Sequence, residues 1–232
     1  MPGLRRALRR AVLGAAVGCV LLACEGPPRS PAAHATREGE AELAVGRPAN
    51  AVVHFERALA DAPSSQAARR GLALAYLALG RPAASRVQFE TLAAQNEGAI
   101  PPDLLRSACR SLSLDVEAAL AAEAYADAVA LAQTGPLASL CQGGRLSVLV
   151  TSARRAEAAR LALGPASIEA LALFARVLEE EPGDPLATLG SVSLLVRAGR
   201  RAEALEILSA ALARHPRSDP LIAAGVDLLT QP

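Results

Sequence analysis

The sequence predicts an all-α protein built from pairs of helices that recur every 34 residues. Apolar residues make up 52 % of the chain, yet only three Phe and two Tyr are aromatic. Ala and Leu supply most of the remainder, and these helix formers leave few of the β-branched residues that sheets favour. The period comes from self-similarity, because VGRPA at residues 45–49 returns as LGRPA at residues 79–83.

One 34-residue frame fits two segments near the start of the chain and two near its end. The four units start at Ala32, Gln66, Thr151 and Pro185. All three Phe of the chain, Phe55, Phe89 and Phe174, fall at position 24 of a unit. Small residues at positions 8, 20 and 27 let paired helices approach closely, and a Pro near position 32 ends the second helix. The pattern resembles the tetratricopeptide repeat, a helix–turn–helix unit of this period.

The resemblance implies a right-handed superhelix of antiparallel helix pairs, with four to five units. The predicted divisions are two units at 32–99, an irregular helical unit at 100–150, two units at 151–218 and a capping helix at 219–232. The middle is irregular because Phe89 and Phe174 are separated by two periods plus 17 residues. A degenerate unit at 109–142, with nine extra residues before it and eight after, accounts for that distance.

The amino-terminal segment has the layout of an export signal. Its first ten residues carry four Arg and no acid, and Ala11–Ala23 is uncharged. A span of 13 residues is short for a membrane helix, which needs about 20. The run Leu21-Leu22-Ala23-Cys24 resembles the bacterial lipobox, which implies removal of 1–23 and a diacylglycerol on Cys24. The alternatives are an ordinary signal peptide with a chance Cys, or an uncleaved anchor.

The predicted mature chain starts with a tether at 24–31, rich in Pro and Gly. Such a tether reaches only about 25 Å, which keeps the domain close to its membrane. Glu25 stands where an Asp is the usual inner-membrane retention signal, so we expect the outer membrane, with the domain in the periplasm or at the cell surface. Without the signal, 20 Arg face 23 acidic residues, a net charge of −3 that argues against nucleic acid as a partner.

Two cysteines follow the tether. An exported protein can join Cys109 and Cys141 in a disulfide. In the degenerate unit they lie at the start of the first helix and the end of the second, and antiparallel pairing brings those ends together. We therefore predict this disulfide. The alternative is two separate buried thiols.

Catalytic chemistry has no clear residue set in this sequence. None of the three His is spaced for a metal with another His or Cys, and we expect His34, His54 and His215 at the surface near turns. Gly143-Gly144 lacks the Lys and Ser/Thr of a phosphate loop. The sequence therefore predicts neither an enzyme nor a bound metal or cofactor.

Partner binding is what the family resemblance implies, through the first helix of each unit. Positions 2, 5, 9, 12 and 13 of those helices line the groove in this family. The residues predicted here to contact a protein or peptide partner are Thr36, Glu40, Arg70, Leu74, Arg155 and Ser193. The groove is mixed and largely apolar, which suits a helix or an extended peptide. The alternative is that some of these side chains only pack between neighbouring units.

The predicted function is that of a membrane-anchored adaptor or scaffold lipoprotein in the cell envelope. It would bind protein partners and assist assembly of a pilus, a secretin or another envelope complex. The alternative is an accessory subunit of an envelope enzyme or of a polysaccharide export or transport complex. The sequence does not choose the pathway.

Overall fold

The computed structural model describes residues 30–230, and all regular structure within them is helical. These residues form twelve helices: α1 (Pro31–Ala44), α2 (Pro48–Asp61), α3 (Gln66–Ala78), α4 (Pro82–Gln95), α5 (Pro102–Ala121), α6 (Tyr125–Gln133), α7 (Pro136–Leu140), α8 (Gly144–Ala162), α9 (Ser167–Glu180), α10 (Pro185–Arg197), α11 (Arg201–Arg214) and α12 (Asp219–Thr230). The predicted all-α fold is confirmed for this part of the chain. No helix in residues 30–230 combines the length and apolar character that crossing a membrane requires.

The described residues divide into two compact units within α3, the first ending at Ala75 and the second beginning at Tyr76. In the first unit, α1 packs against α2, and Phe55 of α2 is fully buried. Two glycines face its ring. A Cβ on Gly39 would lie 2.7 Å from the ring, and one on Gly71 only 2.2 Å from it. Both positions must therefore lack a side chain for the aromatic residue to fit.

A glycine in the left-handed conformation makes the turn within three of the helix pairs. Gly46, Gly80 and Gly199 have φ of 75°, 67° and 73°, and each is followed by an Arg. The Arg81 N–H donates to the Tyr76 carbonyl at 2.9 Å, as the Arg after each of the other two glycines does to the corresponding carbonyl. This bond satisfies a carbonyl that the helix end leaves without a partner. The repeated Gly-Arg pair in the sequence thus corresponds to a repeated turn.

Within residues 30–230 the first helix begins at Pro31, one position before the predicted start of the first unit. Ser30 caps it, because its Oγ accepts a hydrogen bond from the Ala33 N–H at 3.2 Å. Asp184 caps α10 in the same way, accepting from the Ala187 N–H at 2.7 Å before a Pro at the first helical position. Helix α12 lies within residues 219–232, the segment predicted as a capping helix.

The irregular middle differs from the prediction in three boundaries. Helix α5 begins at Pro102 rather than Cys109, because Pro fits the first turn of a helix and the residues predicted as an insertion continue it. Helix α6 ends at Gln133 instead of running to Cys141, since Gly135 (φ 87°) reverses the chain into the short helix α7. Helix α8 begins at Gly144 rather than Thr151. The predicted second insertion is therefore two extra helical turns.

A partly buried ion pair links α4 to α5 within the second unit. The Arg86 Nε lies 2.6 Å from Asp115 Oδ2, and its Nη1 lies 2.8 Å from Glu90 Oε1. Burial alone would lower the pKa of the Arg86 guanidinium, but the hydrogen bonds to Asp115 and Glu90 raise that pKa above its usual value. The Arg86 guanidinium therefore stays charged at any physiological pH and links α4 to the first helix of the irregular middle.

The last helix pairs enclose Phe174, which is 3 % exposed. Its ring packs in a cluster with the buried residues Ala158, Ala170, Val177, Ala187 and Leu194. A Cβ on Gly190 of α10 would lie 2.3 Å from the ring. Glycine therefore lets α10 approach α9 closely, as Gly39 and Gly71 do at Phe55.

We expect Gly190→Ala to lower the free energy of unfolding by about 1–3 kcal/mol, because the added methyl overlaps a ring that has no room to move. Gly225→Ala in α12 is the matched control. Its Cβ would lie 3.7 Å or more from its neighbours, so the better helix propensity of Ala should stabilise by up to about 1 kcal/mol. Urea unfolding followed by circular dichroism measures both. Equal effects of the two substitutions would contradict the packing described here.

Candidate functional site

A cavity of about 590 Å³ opens between α10 and α12 and is the candidate site for a partner. We call it the α10–α12 groove. Its apolar wall consists of Leu189, Val192 and Val196 from α10 and Ala224 and Leu228 from α12. Val192 and Leu228 are each only 6 % exposed and form the floor, whereas Val196 is 38 % exposed at the wall. An apolar side chain entering this groove would lose water on several sides.

Charged groups stand at the rim of the α10–α12 groove. Arg197, Arg201 and Asp227 line it, and the first two also hold its helices in place. The Arg197 Nη1 donates to the Ala162 carbonyl at 3.0 Å, which links α10 to the end of α8. Arg201 donates to the carbonyl of Leu228, which links α11 to α12. The groove therefore offers an apolar floor with polar groups of both signs around it.

Ser193 is the predicted partner-binding residue that lines the α10–α12 groove, and it is exposed. Leu189, at position 5 of the same unit, lines it too. The prediction missed Val196 and Arg197, although they occupy positions 12 and 13, which also belong to the family's groove set. Extending the choice from positions 5 and 9 to the whole set would have found them.

Two of the predicted partner-binding residues make hydrogen bonds or ion pairs within the chain. Thr36 is buried, and its hydroxyl donates to the Ala32 carbonyl at 2.8 Å, one turn earlier in α1. Arg155 lies 2.7 Å from Asp184 Oδ2, so it links α8 to the cap of α10. Both residues occupy position 5 of their units, and both have a polar partner within the chain.

The other predicted residues of the first two repeats stand on helix surfaces. Glu40 of α1 and Arg70 of α3 are exposed, and Leu74 of α3 is half-buried. Each lies in the first compact unit, whereas the α10–α12 groove lies in the second. Their role in partner binding stays a prediction.

Cys109 and Cys141 are joined by a disulfide with a Cα–Cα distance of 5.4 Å. Cys109 lies within α5, and Cys141 directly follows α7. The bond thus joins the long first helix of the irregular middle to the short helix that the prediction did not include. Cys24, the predicted lipidation site, lies outside the described residues.

The histidines hold no metal cluster in the part of the chain that the structure describes. His34 and His215 lie at the surface near helix ends, as expected. His54 lies inside α2, half-buried, so its predicted place near a turn is wrong. Its Nδ1 is 3.2 Å from Glu38 Oε2, and the same carboxylate contacts His34.

A family model for the tetratricopeptide repeat matches residues 42–103 and 168–228, more than half of the chain. The chain belongs to the tetratricopeptide repeat family. Both matched segments contain helix pairs predicted from the 34-residue period, and the interval between them contains the irregular middle. Proteins of this family bind protein or peptide partners, which agrees with the predicted mode of action. None of the curated proteins matches the chain.

Solved structures with a similar fold share little sequence with this chain. YrrB, described as a tetratricopeptide protein with an unusual peptide-binding site, is 20 % identical over 82 % of this chain and 90 % of its own, with a TM-score of 0.35. PilF of Pseudomonas aeruginosa is 15 % identical over 85 % and 82 %, with a TM-score of 0.36. A repeat protein of Parabacteroides merdae is 14 % identical over 91 % and 75 %, with a TM-score of 0.38.

Proposed function

We propose that this chain is a non-enzymatic adaptor of the cell envelope that is anchored by lipid on Cys24 and binds a partner protein in the α10–α12 groove. The observation that carries the proposal is the groove itself. It presents Val192, Val196 and Leu228 at the end of a repeat array whose family acts by binding proteins. We propose a helical or extended peptide segment of the partner as the occupant.

The dimensions and chemistry of the groove support a peptide occupant. A volume of about 590 Å³ falls in the range of sites that enclose several side chains. An amphipathic helix would place apolar residues on the floor and polar residues beside Arg197, Arg201 and Asp227 at the rim. More specifically, we propose that the chain assists assembly of a pilus, a secretin or another envelope complex.

Cross-linking in intact cells, followed by mass spectrometry, tests the groove. We expect Val196→Asp to reduce recovery of the partner at least about tenfold, because a charge would be buried against an apolar surface. Val148→Asp is the matched control, since Val148 is 58 % exposed on α8 and does not line the groove. Unchanged recovery of the partner with Val196→Asp contradicts the proposal that the partner binds in the α10–α12 groove. Recovery of the lipid-processing machinery alone contradicts the adaptor.

The lipid anchor has its own test. Each buried methylene contributes about 0.8 kcal/mol, so two or three acyl chains hold a protein firmly on a membrane. We expect Cys24→Ser to move the chain from the membrane fraction to the soluble fraction. Metabolic labelling with a fatty acid should label the original chain and leave the variant unlabelled. A variant that still sediments with membranes as before would show that another feature anchors the protein.

A further inference from the structure

Two arginines on α5 carry charges that the fold does not neutralise. Arg106 and Arg110 lie four residues apart, so they stand on one face of the helix, and both are exposed. Within residues 30–230 neither has a carboxylate within 4.0 Å. Like charges at this spacing repel each other by a few tenths of a kcal/mol. Helix stability therefore does not explain the pair.

Both arginines line a second cavity, of about 370 Å³, on one side of the Cys109–Cys141 disulfide. We call it the disulfide-side cavity. Arg145 of α8 adds a third guanidinium, although its Nε is paired with Glu117 at 2.7 Å. The cavity is thus lined by three positive groups, one carboxylate, and the apolar residues Leu114 and Leu146.

The amino end of α8 adds to this positive potential. Helix α8 is 19 residues long, and its capping residue, Gly143, offers no side-chain acceptor to the first turn. A helix carries about half a positive charge at this end, and an anion there is stabilised. Gly143 and Leu146 both line the disulfide-side cavity. The helix end and the two unpaired arginines therefore favour the same ligand charge.

The disulfide sets the distance between these two sources of charge. Arg106 and Arg110 belong to α5, whereas Arg145 and the amino end of α8 follow Cys141 by only a few residues. The bond joins Cys141 to α5, so the start of α8 is held beside the arginines. Without it, only the short helix α7, between Gly135 and Gly143, would connect the start of α8 to α6.

We propose that the disulfide-side cavity binds an acidic peptide segment, with a carboxylate on the arginines and a neighbouring apolar side chain on Leu114 and Leu146, and that it does so best in the oxidised protein. The proposal rests on the proposed function, because it assigns a second contact to a protein partner. A single phosphate would leave much of the 370 Å³ and both leucines without contact. An acidic side chain beside an apolar one contacts both kinds of surface.

Fluorescence anisotropy with the full chain tests the proposal. The probe is a fluorescein-labelled peptide, Gly-Asp-Leu-Glu-Gly, with an amidated carboxyl end. We expect Arg106→Gln with Arg110→Gln to weaken binding at least about tenfold, because hydrogen bonds to charged groups are lost. Arg176→Gln is the matched control, since Arg176 is exposed on α9 and lies outside the cavity. Reductant should weaken binding about threefold or more, and salt should weaken it in every active form.

Five results would overturn this proposal or a part of it. Undiminished binding by the double Arg variant removes the site, and equal binding of a peptide with Asn and Gln in place of the acids removes its charge preference. If pyrophosphate displaces the labelled peptide at lower concentrations than the unlabelled peptide does, the cavity is a phosphate site instead. Equal binding after reduction removes the role of the disulfide. If peptide binding fails while Val196→Asp still abolishes partner recovery in cells, this inference falls and the proposed function stands.

Discussion

Replacing Phe174 with Ala is expected to lower the free energy of unfolding by about 3–5 kcal/mol. The ring is 3 % exposed and fills the space where α9 meets α10. Its partners are mostly small or fixed on rigid helices, and Gly190 has no side chain that could move into the vacated volume. The cavity would therefore stay open, and the loss of contacts adds to the loss of hydrophobic burial.

The measurement is urea unfolding followed by circular dichroism at 222 nm. Phe174→Leu should lose less than half as much stability, because Leu refills part of the space. Leu163→Ala is the control for loss of an apolar side chain without loss of packing. Leu163 is 90 % exposed, so its replacement should change the free energy by no more than about 0.5 kcal/mol. A loss below about 1 kcal/mol for Phe174→Ala would contradict the role given to the ring.

Phe174→Ala should also weaken partner binding in the α10–α12 groove, although Phe174 does not line that groove. Phe174 packs behind α10, whose opposite side carries Val192 and Val196. In a repeat array each helix pair is stabilised chiefly by its neighbours, so loosening one contact frees the adjacent helix locally. We therefore expect partner recovery to fall with Phe174→Ala as well. Hydrogen exchange separates this indirect effect from loss of a groove contact. Relative to the original chain, Phe174→Ala should accelerate amide exchange in α10 and leave the distant helix α4 unchanged.

Some features of this fold follow from single residues in the sequence. The three Phe share position 24 because a large apolar side chain there fills the space between helices, and all three are buried. The Gly-Arg turns follow because only glycine enters the left-handed region without cost. Such features depend on contacts within one unit and its neighbour, so a period of 34 residues is enough to reveal them.

The irregular middle was harder to predict because its local signals conflict with the repeat. Glu123 holds φ of 58° in the turn between α5 and α6, where three other pairs have glycine. Its turn therefore lacks the usual residue, although Glu123 and Ala124 form the same backbone hydrogen bonds. The residues that form the additional turns of α5 and α8 could equally be loops inserted between repeat units, as far as the sequence pattern shows. Periodicity cannot place a boundary where the period itself fails.

The partner-binding residues were harder to choose for a related reason. A repeat position predicts which helix face a residue lies on, but its neighbours decide whether that face is open. Thr36 is buried within the first unit, and the side chain of Arg155 forms an ion pair with Asp184. Between α10 and α12 a cavity remains, and Ser193 and Val196 line it and are exposed. That spacing is a tertiary property that no single unit encodes.

Removing the Cys109–Cys141 disulfide is expected to lower the free energy of unfolding by about 3–4 kcal/mol. The bond closes a loop with a sequence separation of 32 residues, and a cross-link of this length restricts the unfolded chain by about that amount. Cys109→Ser with Cys141→Ser makes the change permanently, and reductant makes it reversibly. Urea unfolding with and without reductant measures both. Reductant should leave the double variant unchanged, and an equal shift in both proteins would contradict the assignment to this bond.

The loss should appear first at α7, for a reason that the local structure supplies. A helix of five residues is too short to be stable alone, and α7 has Gly135 before it and Gly143 after it. Leu137 is fully buried, so α7 keeps one apolar anchor when the disulfide opens. We therefore expect hydrogen exchange at residues 134–143 to accelerate on reduction while α9 and α10 keep their protection. The disulfide then supplements the weakest helix of the array, where the repeat offers too little packing to hold the chain.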